Sequence, residues 1–433
     1  MRLLHDPGVR TILFSTVLGA AGVVSGILVA RSLTPSGRGS LAALTEPAFL
    51  MMAVAGVGLD DALTRSVAVD RTSPAMVRGL AFRWSIPYGL AVAVLISMIQ
   101  VNFVVSPDLH PEAIAIALLA PFFLVTRFIS GILNGFGKTT AWNLARIAAN
   151  SSYSLLIVGL YVLGALTLRA AVVCWIMCYL ISALTATWLM YSATSSADPQ
   201  PTLARSETTR TVSTPRLREL LKFGWKVNIG KISSQLNQRI DQTVLAFLVT
   251  PAELGKYAVA ATLSLSPGVL MLGYSAYAFG NCSRQHDPLR RRAVARTHMR
   301  IGFLLTAAIY LPLILYSPEL LTLAFGRDYA SESSLVQLLC LGAAFFFGAQ
   351  TTIAALNAMG YPGTSARWQF FGLIITVLGL LFLVPKYGIE GAAWTSVGAY
   401  VLYAASLFIS SVLKLQQRHA GVVHASQQKE EST

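Results

Sequence analysis

Charged residues are scarce in this sequence, and acidic ones are scarcer than basic ones. Only 12% of its 433 residues are charged, against about 25% in soluble domains. Acidic side chains number 19 and basic ones 33, which gives a net charge of +14. The low charge excludes an ordinary soluble domain. Together with 55% hydrophobic residues it predicts a polytopic membrane protein.

Cysteine is also scarce, and the four cysteines are not spaced for a disulfide or a metal site. Cys174 and Cys178 stand four residues apart on one predicted helix, which is poor geometry for a disulfide. Cys282 ends a hydrophobic segment, and Cys340 lies within one. We therefore expect packing roles for the cysteines, no metal and no cofactor.

Hydrophobic runs recur along the whole chain, each long enough for the about 20 residues that cross a bilayer. The first run is too long for a signal-peptide core, so no cleavable signal is expected. The runs predict an all-α polytopic membrane protein with twelve transmembrane helices, at 9–33, 40–62, 80–105, 111–133, 141–164, 169–192, 222–249, 253–281, 299–323, 333–359, 364–385 and 388–413. Short links make neighbouring helices antiparallel.

The distribution of lysine and arginine predicts the orientation. These residues are roughly four times more frequent in the links on one side, which the positive-inside rule assigns to the cytoplasm. The result is a multi-pass protein of the cell inner (cytoplasmic) membrane with both termini in the cytoplasm. The outer links are then short, which leaves little room for the large catalytic loop of a membrane glycosyltransferase or sugar polymerase. We expect no enzyme.

The chain contains a short internal repeat. TPSGRG at 34–39 follows the first predicted span, and TPAELG at 250–255 follows the seventh. This repeat predicts two six-helix bundles related as a parallel repeat. The predicted domains are an N-terminal bundle at 1–192, a cytoplasmic linker at 193–217, a C-terminal bundle at 218–413 and a cytoplasmic tail at 414–433.

The segment 223–248 is the most polar of the predicted spans. At 3.6 residues per turn, its polar side chains share one helix face. A charge at mid-membrane depth costs at least about 2.5–3.5 kcal/mol against lipid, so this face is expected to line a hydrated, cationic cavity. The alternative is a structural network in which Arg239 pairs with Asp241. The face consists of Asn228, Lys231, Gln235, Asn237, Gln238, Arg239, Asp241 and Gln242.

Further basic and amide residues are candidates in the first half. Arg127 lies in the fourth predicted span, about six residues from its cytoplasmic end, where it either lines the cavity or extends to the interface. Asn134 and Arg146 are candidates for the cytoplasmic mouth of the cavity.

Acidic residues are candidates for ion coupling. Glu46 lies near the outer end of the second predicted span and Asp241 in the polar segment, and either could carry a proton. For Asp241, pairing with Arg239 is the alternative. Asp60 ends the second span, where a solvated cap or a pair with Arg65 is expected.

Four stretches of the chain resemble the oligosaccharide flippase (Wzx, polysaccharide transporter) family of the multidrug/oligosaccharidyl-lipid/polysaccharide (MOP, MATE-like) exporter superfamily. The stretches are ARSLTPSGRGSLAAL at 30–44, GLDDALTR at 58–65, FGWKVNIGKISSQLNQRIDQTVLAFLVTPAELGKYAVAA at 223–261 and VPKYGIEGAAWTSVGAYVL at 384–402. The resemblance implies two bundles around a central cavity. It also implies translocation of a lipid-linked oligosaccharide, usually on polyprenyl pyrophosphate, to the outer leaflet.

The polar segment gives this implied function a physical basis. Lys231 and Arg239 can neutralise a pyrophosphate, since the arginine fork matches phosphate geometry. The neighbouring amides can bond sugar hydroxyls while the lipid tail stays in the bilayer. Expected partners are the lipid-linked glycan, membrane lipids and the glycan polymerase and glycosyltransferases, without nucleic acid. Coupling to an H⁺ or Na⁺ gradient is expected.

Two functions on the same fold remain as alternatives. A lipid II-type flippase would share the cationic cavity. A cation-coupled multidrug antiporter would show an acidic, aromatic-lined cavity, whereas the strongest polar segment here is net basic. A purely structural scaffold would not need lysine and arginine in the membrane.

Overall fold

The computed structural model describes residues 7–56, 58–68, 74–195, 230 and 232–430. Every regular element in this described part is helical, which confirms the all-α fold. Two short 3₁₀ helices, Pro107–Leu109 and Arg327–Glu332, lie between α-helices. The α-helices are α1 (Pro7–Ser32), α2 (Pro35–Ala55), α3 (Leu59–Ala68), α4 (Pro74–Phe103), α5 (His110–Ala117), α6 (Ala120–Gly135), α7 (Thr139–Val162), α8 (Leu168–Ser195), α9 (232–237), α10 (Ile240–Leu248), α11 (Pro251–Leu265), α12 (Gly268–Ser283), α13 (Pro288–Leu315), α14 (Ser317–Phe325), α15 (Ser333–Ala358) and α16 (Pro362–Glu430).

Eight stretches of the described helices are long and apolar enough to cross a membrane, which confirms a multi-pass membrane protein. The last of them has 53 residues, more than twice the about 20 needed for one crossing. Gly388 interrupts it with φ 55° and ψ −134°, a backbone conformation that favours glycine. The count of twelve spans stays a prediction. The stretches are Pro35–Ala68, Phe82–Phe103, Pro107–Gly135, Leu168–Ala193, Pro251–Ser283, Pro288–Leu315, Arg327–Ala358 and Pro362–Lys414.

The described residues form two compact units. The N-terminal unit comprises those within Ala20–Ile232 and Gln242–Ala258. The C-terminal unit comprises those within Met1–Gly19, Ser233–Asp241 and Val259–Thr433. The domain boundaries expected from the sequence stay a prediction.

Both repeat motifs begin a helix in the same way. The Thr34 hydroxyl accepts the backbone N–H of Gly37 at 3.2 Å, and Pro35 takes the first position of α2. At the start of α11, the Glu253 carboxylate accepts the N–H of Thr250 at 3.0 Å. The N–H of Glu253 in turn donates to the Thr250 hydroxyl at 3.4 Å. These reciprocal bonds form a capping box at α11. In both motifs the threonine hydroxyl accepts the backbone N–H three residues later, so each motif encodes a helix start.

The two motifs contact each other within the N-terminal unit through their last glycines. A Cβ on Gly39 would lie 2.8 Å from the backbone nitrogen of Gly255, and a Cβ on Gly255 would lie 2.9 Å from that of Gly39. Each would also overlap a carbonyl oxygen, that of Pro251 or of Pro35. Because the contact is reciprocal and made by backbone atoms, only glycine lets α2 and α11 cross this closely.

The apolar sides of α3, α6, α7 and α8 pack into a buried cluster of the N-terminal unit. It includes Leu63 of α3, Phe128 and Ile132 of α6, and Met190 of α8. Because lipid tails are as apolar as these side chains, the helices associate here through van der Waals packing rather than through removal of apolar surface from water. The polar side chains of the same helices collect beside this cluster, where they line a cavity.

Candidate functional site

A cavity of about 420 Å³ lies among α2, α3, α6, α7 and α8 of the N-terminal unit. More than half of its lining side chains are polar, although α3 and α6 belong to membrane-spanning stretches. Polar groups at such depth require water, a ligand or one another. The lining residues are Phe49, Asp60, Asp61, Thr64, Phe123, Thr126, Arg127, Ser130, Gly131, Asn134, Trp142, Ala145, Arg146, Ala149, Asn150, Tyr179 and Ser182.

An ion pair crosses the cavity wall from α6 to α3. Nη1 of Arg127 lies 3.2 Å from Oδ2 of Asp60, and the two side chains are 28% and 31% exposed. The structure thus gives Asp60 a partner that the sequence analysis did not anticipate, since it considered Arg65. A partly exposed pair with one contact contributes at most about 1 kcal/mol.

The position of Asp60 depends on a glycine of α6. A Cβ on Gly131 would lie 2.8 Å from the Cα of Asp60, so a larger residue would push α3 away. The hydroxyl of Thr64 donates to the Gly131 carbonyl at 3.0 Å and fastens the two helices. Because Gly131 lies one helical turn after Arg127, this close approach brings the carboxylate next to the guanidinium.

Both arginines of the cavity lie over an aromatic ring one turn earlier on their own helix. The guanidinium carbon of Arg127 is 5.6 Å from the centroid of Phe123, and that of Arg146 is 4.6 Å from the ring of Trp142. Cations within about 6 Å of a ring are attracted to its face. The rings therefore help to orient both guanidinium groups at the cavity, where Nη1 of Arg127 donates to Asp60.

Amide side chains complete the polar lining. The side-chain Nδ2 of Asn134 lies 3.5 Å from the hydroxyl oxygen of Thr64. Asn150 is exposed and lies on α7, the helix that also carries Arg146. The structure thus brings together Arg127, Asn134 and Arg146, three residues that the sequence analysis considered for a cavity or its mouth. Trp142 and Asn150 also line the cavity, and neither is predicted from the sequence. The aromatic residue four positions before each arginine is the signal that could have identified the ring-supported cations.

The structure describes the polar segment only in part. Asn228 and Lys231 lie outside the described residues. Helix α9 ends at position 237, a turn follows at Gln238 and Arg239, and α10 continues from Ile240. The Arg239 N–H bonds the carbonyl of Leu236, a tighter spacing than in an α-helix. The turn changes the angular register, so a single polar face through this segment stays a prediction.

Asn237 is buried in a hydrogen-bond network of the C-terminal unit. Its Oδ1 accepts the hydroxyl of Thr376 at 3.2 Å, and its Nδ2 donates to the carbonyl of Gln369 at 3.4 Å. Its backbone carbonyl accepts the hydroxyl of Tyr400. The amide is therefore engaged by its own unit, which gives Asn237 a structural role, and a role in sugar binding stays a prediction.

The other predicted polar residues differ in exposure. Gln235 is exposed, while Gln238 donates from Nε2 to the carbonyl of Ser234 at 3.2 Å. Asp241 and Gln242 are buried, at 7% and 6% exposure. Arg239 and Glu46 are half-buried. The structure leaves the roles of all these residues, including Asp241 and Glu46 in coupling, as predictions.

The membrane-spanning helices define the class as a multi-pass membrane protein, and solved structures share the fold. A lipid II flippase, MurJ, in an inward closed conformation superposes with a TM-score of 0.73 at 15% identity, over 95% of this chain and 90% of that one. An inward-facing MATE family multidrug transporter of the MOP superfamily gives 0.69 at 16% identity, over 93% of this chain and 95% of that one.

Sequence comparison identifies the family. Residues 8–279 match the family model described as Polysaccharide biosynthesis protein. The chain is also 22% identical over 302 residues, 69% of each chain, to a Shigella flexneri protein named "Putative O-antigen transporter". A membrane protein of Methanocaldococcus jannaschii without an assigned function is 27% identical over 196 residues, 43% of this chain and 38% of that one.

The chain therefore belongs to the polysaccharide biosynthesis protein family, within the MOP superfamily fold. It is a membrane transporter of that family. The relatives and solved neighbours with a named activity are transporters or flippases rather than enzymes, which confirms both the resemblance and the non-enzymatic class.

Proposed function

We propose that this protein translocates a lipid-linked oligosaccharide or polysaccharide repeat unit, carried on a polyprenyl pyrophosphate, by alternating access. It does so across the cytoplasmic membrane, with both termini in the cytoplasm. The supporting observation is the cavity that combines two ring-supported arginines with amides and an indole. The family description and the O-antigen relative support a glycan as the cargo.

The cavity chemistry fits the headgroup of such a carrier. Guanidinium groups bind phosphate through paired, charge-assisted hydrogen bonds, and Arg127 and Arg146 present two of them. Asn134 and Asn150 can donate to and accept from sugar hydroxyls, and the face of Trp142 can cover an apolar sugar face. A volume of about 420 Å³ suits a headgroup and its first sugar. The polyprenyl chain stays in the bilayer.

The Asp60–Arg127 pair holds the cavity in its empty state. An arriving pyrophosphate carries more charge than one carboxylate, so it displaces Asp60 from Arg127 and bridges to Arg146. When the headgroup leaves, Asp60 returns to Arg127. Lys231 and Arg239 are proposed to neutralise the same headgroup along its path, with Gln235, Gln238 and Gln242 as hydrogen-bonding partners. An H⁺ or Na⁺ gradient is proposed to drive the cycle.

Binding of undecaprenyl pyrophosphate to the purified protein in lipid nanodiscs tests the cavity assignment. Loss of one charge-assisted hydrogen bond costs about 1.5–3 kcal/mol, and each 1.4 kcal/mol is about tenfold in affinity. We expect Arg127→Ala and Arg146→Ala each to weaken binding at least about tenfold. Undecaprenol, which has no phosphate, should bind all variants equally.

Arg169→Ala is the matched control. Arg169 forms an ion pair with Glu112 at 3.0 Å in the same unit but does not line the cavity. The Arg169→Ala variant should therefore bind undecaprenyl pyrophosphate with the affinity of the wild type. Unchanged affinity in Arg127→Ala, in Arg146→Ala and in their double variant would refute the cavity assignment. Preference for a lipophilic organic cation over the pyrophosphate would favour the antiporter alternative.

A further inference from the structure

A buried histidine in the C-terminal unit has no part in the proposed headgroup site. His298 of α13 is 7% exposed. Its Nδ1 lies 2.9 Å from the hydroxyl of Tyr274, and its Nε2 lies 3.0 Å from Nδ2 of Asn281, both on α12. Both ring nitrogens are therefore engaged by side chains of one neighbouring helix. A buried imidazole needs hydrogen-bonding partners, whereas an apolar residue fills such a position without them.

Both partners of His298 can serve either protonation state. In the neutral ring the Asn281 amide donates to Nε2, and the Nδ1 proton faces the Tyr274 hydroxyl. In the protonated ring both nitrogens donate, so the Tyr274 oxygen accepts and Asn281 must present its carbonyl oxygen instead. A half-turn of one amide is thus enough to exchange one state for the other. The protonated state leaves neither N–H unpaired.

Two aromatic rings surround the imidazole. The ring centroids of Tyr274 and Tyr277 lie 5.8 Å and 5.6 Å from that of His298. The ring planes of these pairs are inclined at 59° and 83°, so neither tyrosine is stacked parallel to the imidazole. Tyr274 is half-buried, and its hydroxyl contacts the imidazole.

No carboxylate is bonded to His298 among the described residues. From α12 the titratable groups near it are Tyr274, Tyr277 and Cys282. Helix α15 carries no acidic, basic or histidine residue, and its titratable Cys340 interacts with Tyr310, three turns further along α13. The arginines of α13 itself lie at 290–292, 296 and 300. Without a fixed anion to retain it, a proton on the ring can leave again.

We propose that His298 is a proton-binding site of the transport cycle, in which uptake of one proton turns the side-chain amide of Asn281 on α12. The proposal rests on the proposed transport function, because it supplies the coupling ion for that transport. Histidine is suited to this role, since it changes charge within about pH 5–8. When one conformation binds a proton that the other does not bind, the ratio of the two conformations changes by up to about tenfold per pH unit.

Protonation can be measured directly in the full-length protein. The chain has six histidines, so a variant with the other five replaced by glutamine reports His298 alone by histidine-labelled nuclear magnetic resonance in nanodiscs. We expect the ring to gain and lose its proton between about pH 5 and 8. A ring that stays in one state throughout this range overturns the proposal, whatever the substrate is.

Export of surface glycan at different pH values tests the coupling. Cells should carry each variant as their only copy. We expect wild-type export to depend on pH and His298→Gln to lose that dependence, while the exposed control His286→Gln keeps the wild-type profile. A flat wild-type profile, or an unchanged profile in His298→Gln, refutes the coupling role.

The two proposals fail separately in this design. If Arg127→Ala and Arg146→Ala export normally while His298 titrates and controls the pH profile, the headgroup site is wrong and the proton site stands. If those arginine variants lose export at every pH but His298 keeps one protonation state, the proton site is wrong. Should His298→Gln fail to fold, the resonance measurement on the His298-containing protein decides.

Discussion

One added methyl group at the crossing of α2 and α11 tests the contact between the two repeat motifs. Gly39→Ala places a Cβ 2.8 Å from the backbone nitrogen of Gly255, whereas ordinary contact begins at 3.4 Å. The same Cβ overlaps the carbonyl oxygen of Pro251. Backbone atoms within two helices cannot rotate aside as a flexible side chain can. The helices must therefore separate.

The expected loss of folding stability in Gly39→Ala follows from two opposing effects. Overpacking of this kind destabilises by about 1–3 kcal/mol. Alanine in a helix interior is favoured over glycine by up to about 1 kcal/mol, because glycine has more backbone freedom to lose. The clash involves backbone atoms, so the upper part of the first range applies. We expect a net loss of about 2 kcal/mol, or an apparent melting temperature lower by about 4–8 °C.

The assay is thermal unfolding of the purified protein, followed by size-exclusion chromatography. Gly159→Ala on α7 is the matched control, since a Cβ there meets nothing within 4 Å. It should be neutral or slightly stabilising. The double variant Gly39→Ala with Gly255→Ala should lose less than the sum of the single losses, because the first substitution already separates the helices. Equal stability of Gly39→Ala and Gly159→Ala would refute the close crossing.

Two further predictions concern the polar segment. Asn237→Ala should destabilise the protein by about 1–3 kcal/mol, since it removes both side-chain hydrogen bonds of a buried network. Gln235→Ala on the exposed side of α9 should change stability by no more than about 0.5 kcal/mol, and equal effects would contradict the structural role. Lys231→Ala and Arg239→Ala should each abolish surface glycan while the protein still reaches the membrane. Normal glycan in both variants and in the double variant would rule out their proposed contact with the headgroup.

Local sequence signals predicted where helices occur but not which helices pack against each other. TPAELG predicts a helix start from its own residues, because the cap, the proline and the glutamate act within one turn. The Asp60–Arg127 pair joins residues 67 positions apart. Helical periodicity assigns each of them a face, yet it does not reveal which helix lies opposite. The pairing of Asp60 with Arg127 depends on Gly131, because a residue without a side chain at that position lets α3 approach α6 closely.

The candidate site shows the same division. The sequence drew attention to the basic polar segment, where Lys231 and Arg239 interrupt an apolar run. The cavity of the N-terminal unit brings together Arg127 and Arg146, which are candidates from the sequence, with residues that look ordinary in sequence, such as Trp142 beside Arg146. Likewise, His298 becomes notable only when Tyr274 and Asn281 come within hydrogen-bonding distance.

The amino-acid sequence alone determined that this protein is helical and crosses the membrane many times, because hydrophobic length, charge distribution and capping motifs act locally. Its family followed from resemblance to known sequences. Only the tertiary structure decided which polar groups meet. A buried charge or amide is stabilised by partners that lie on other helices, and the choice among those partners depends on close approaches of a few ångströms that no spacing along the chain encodes.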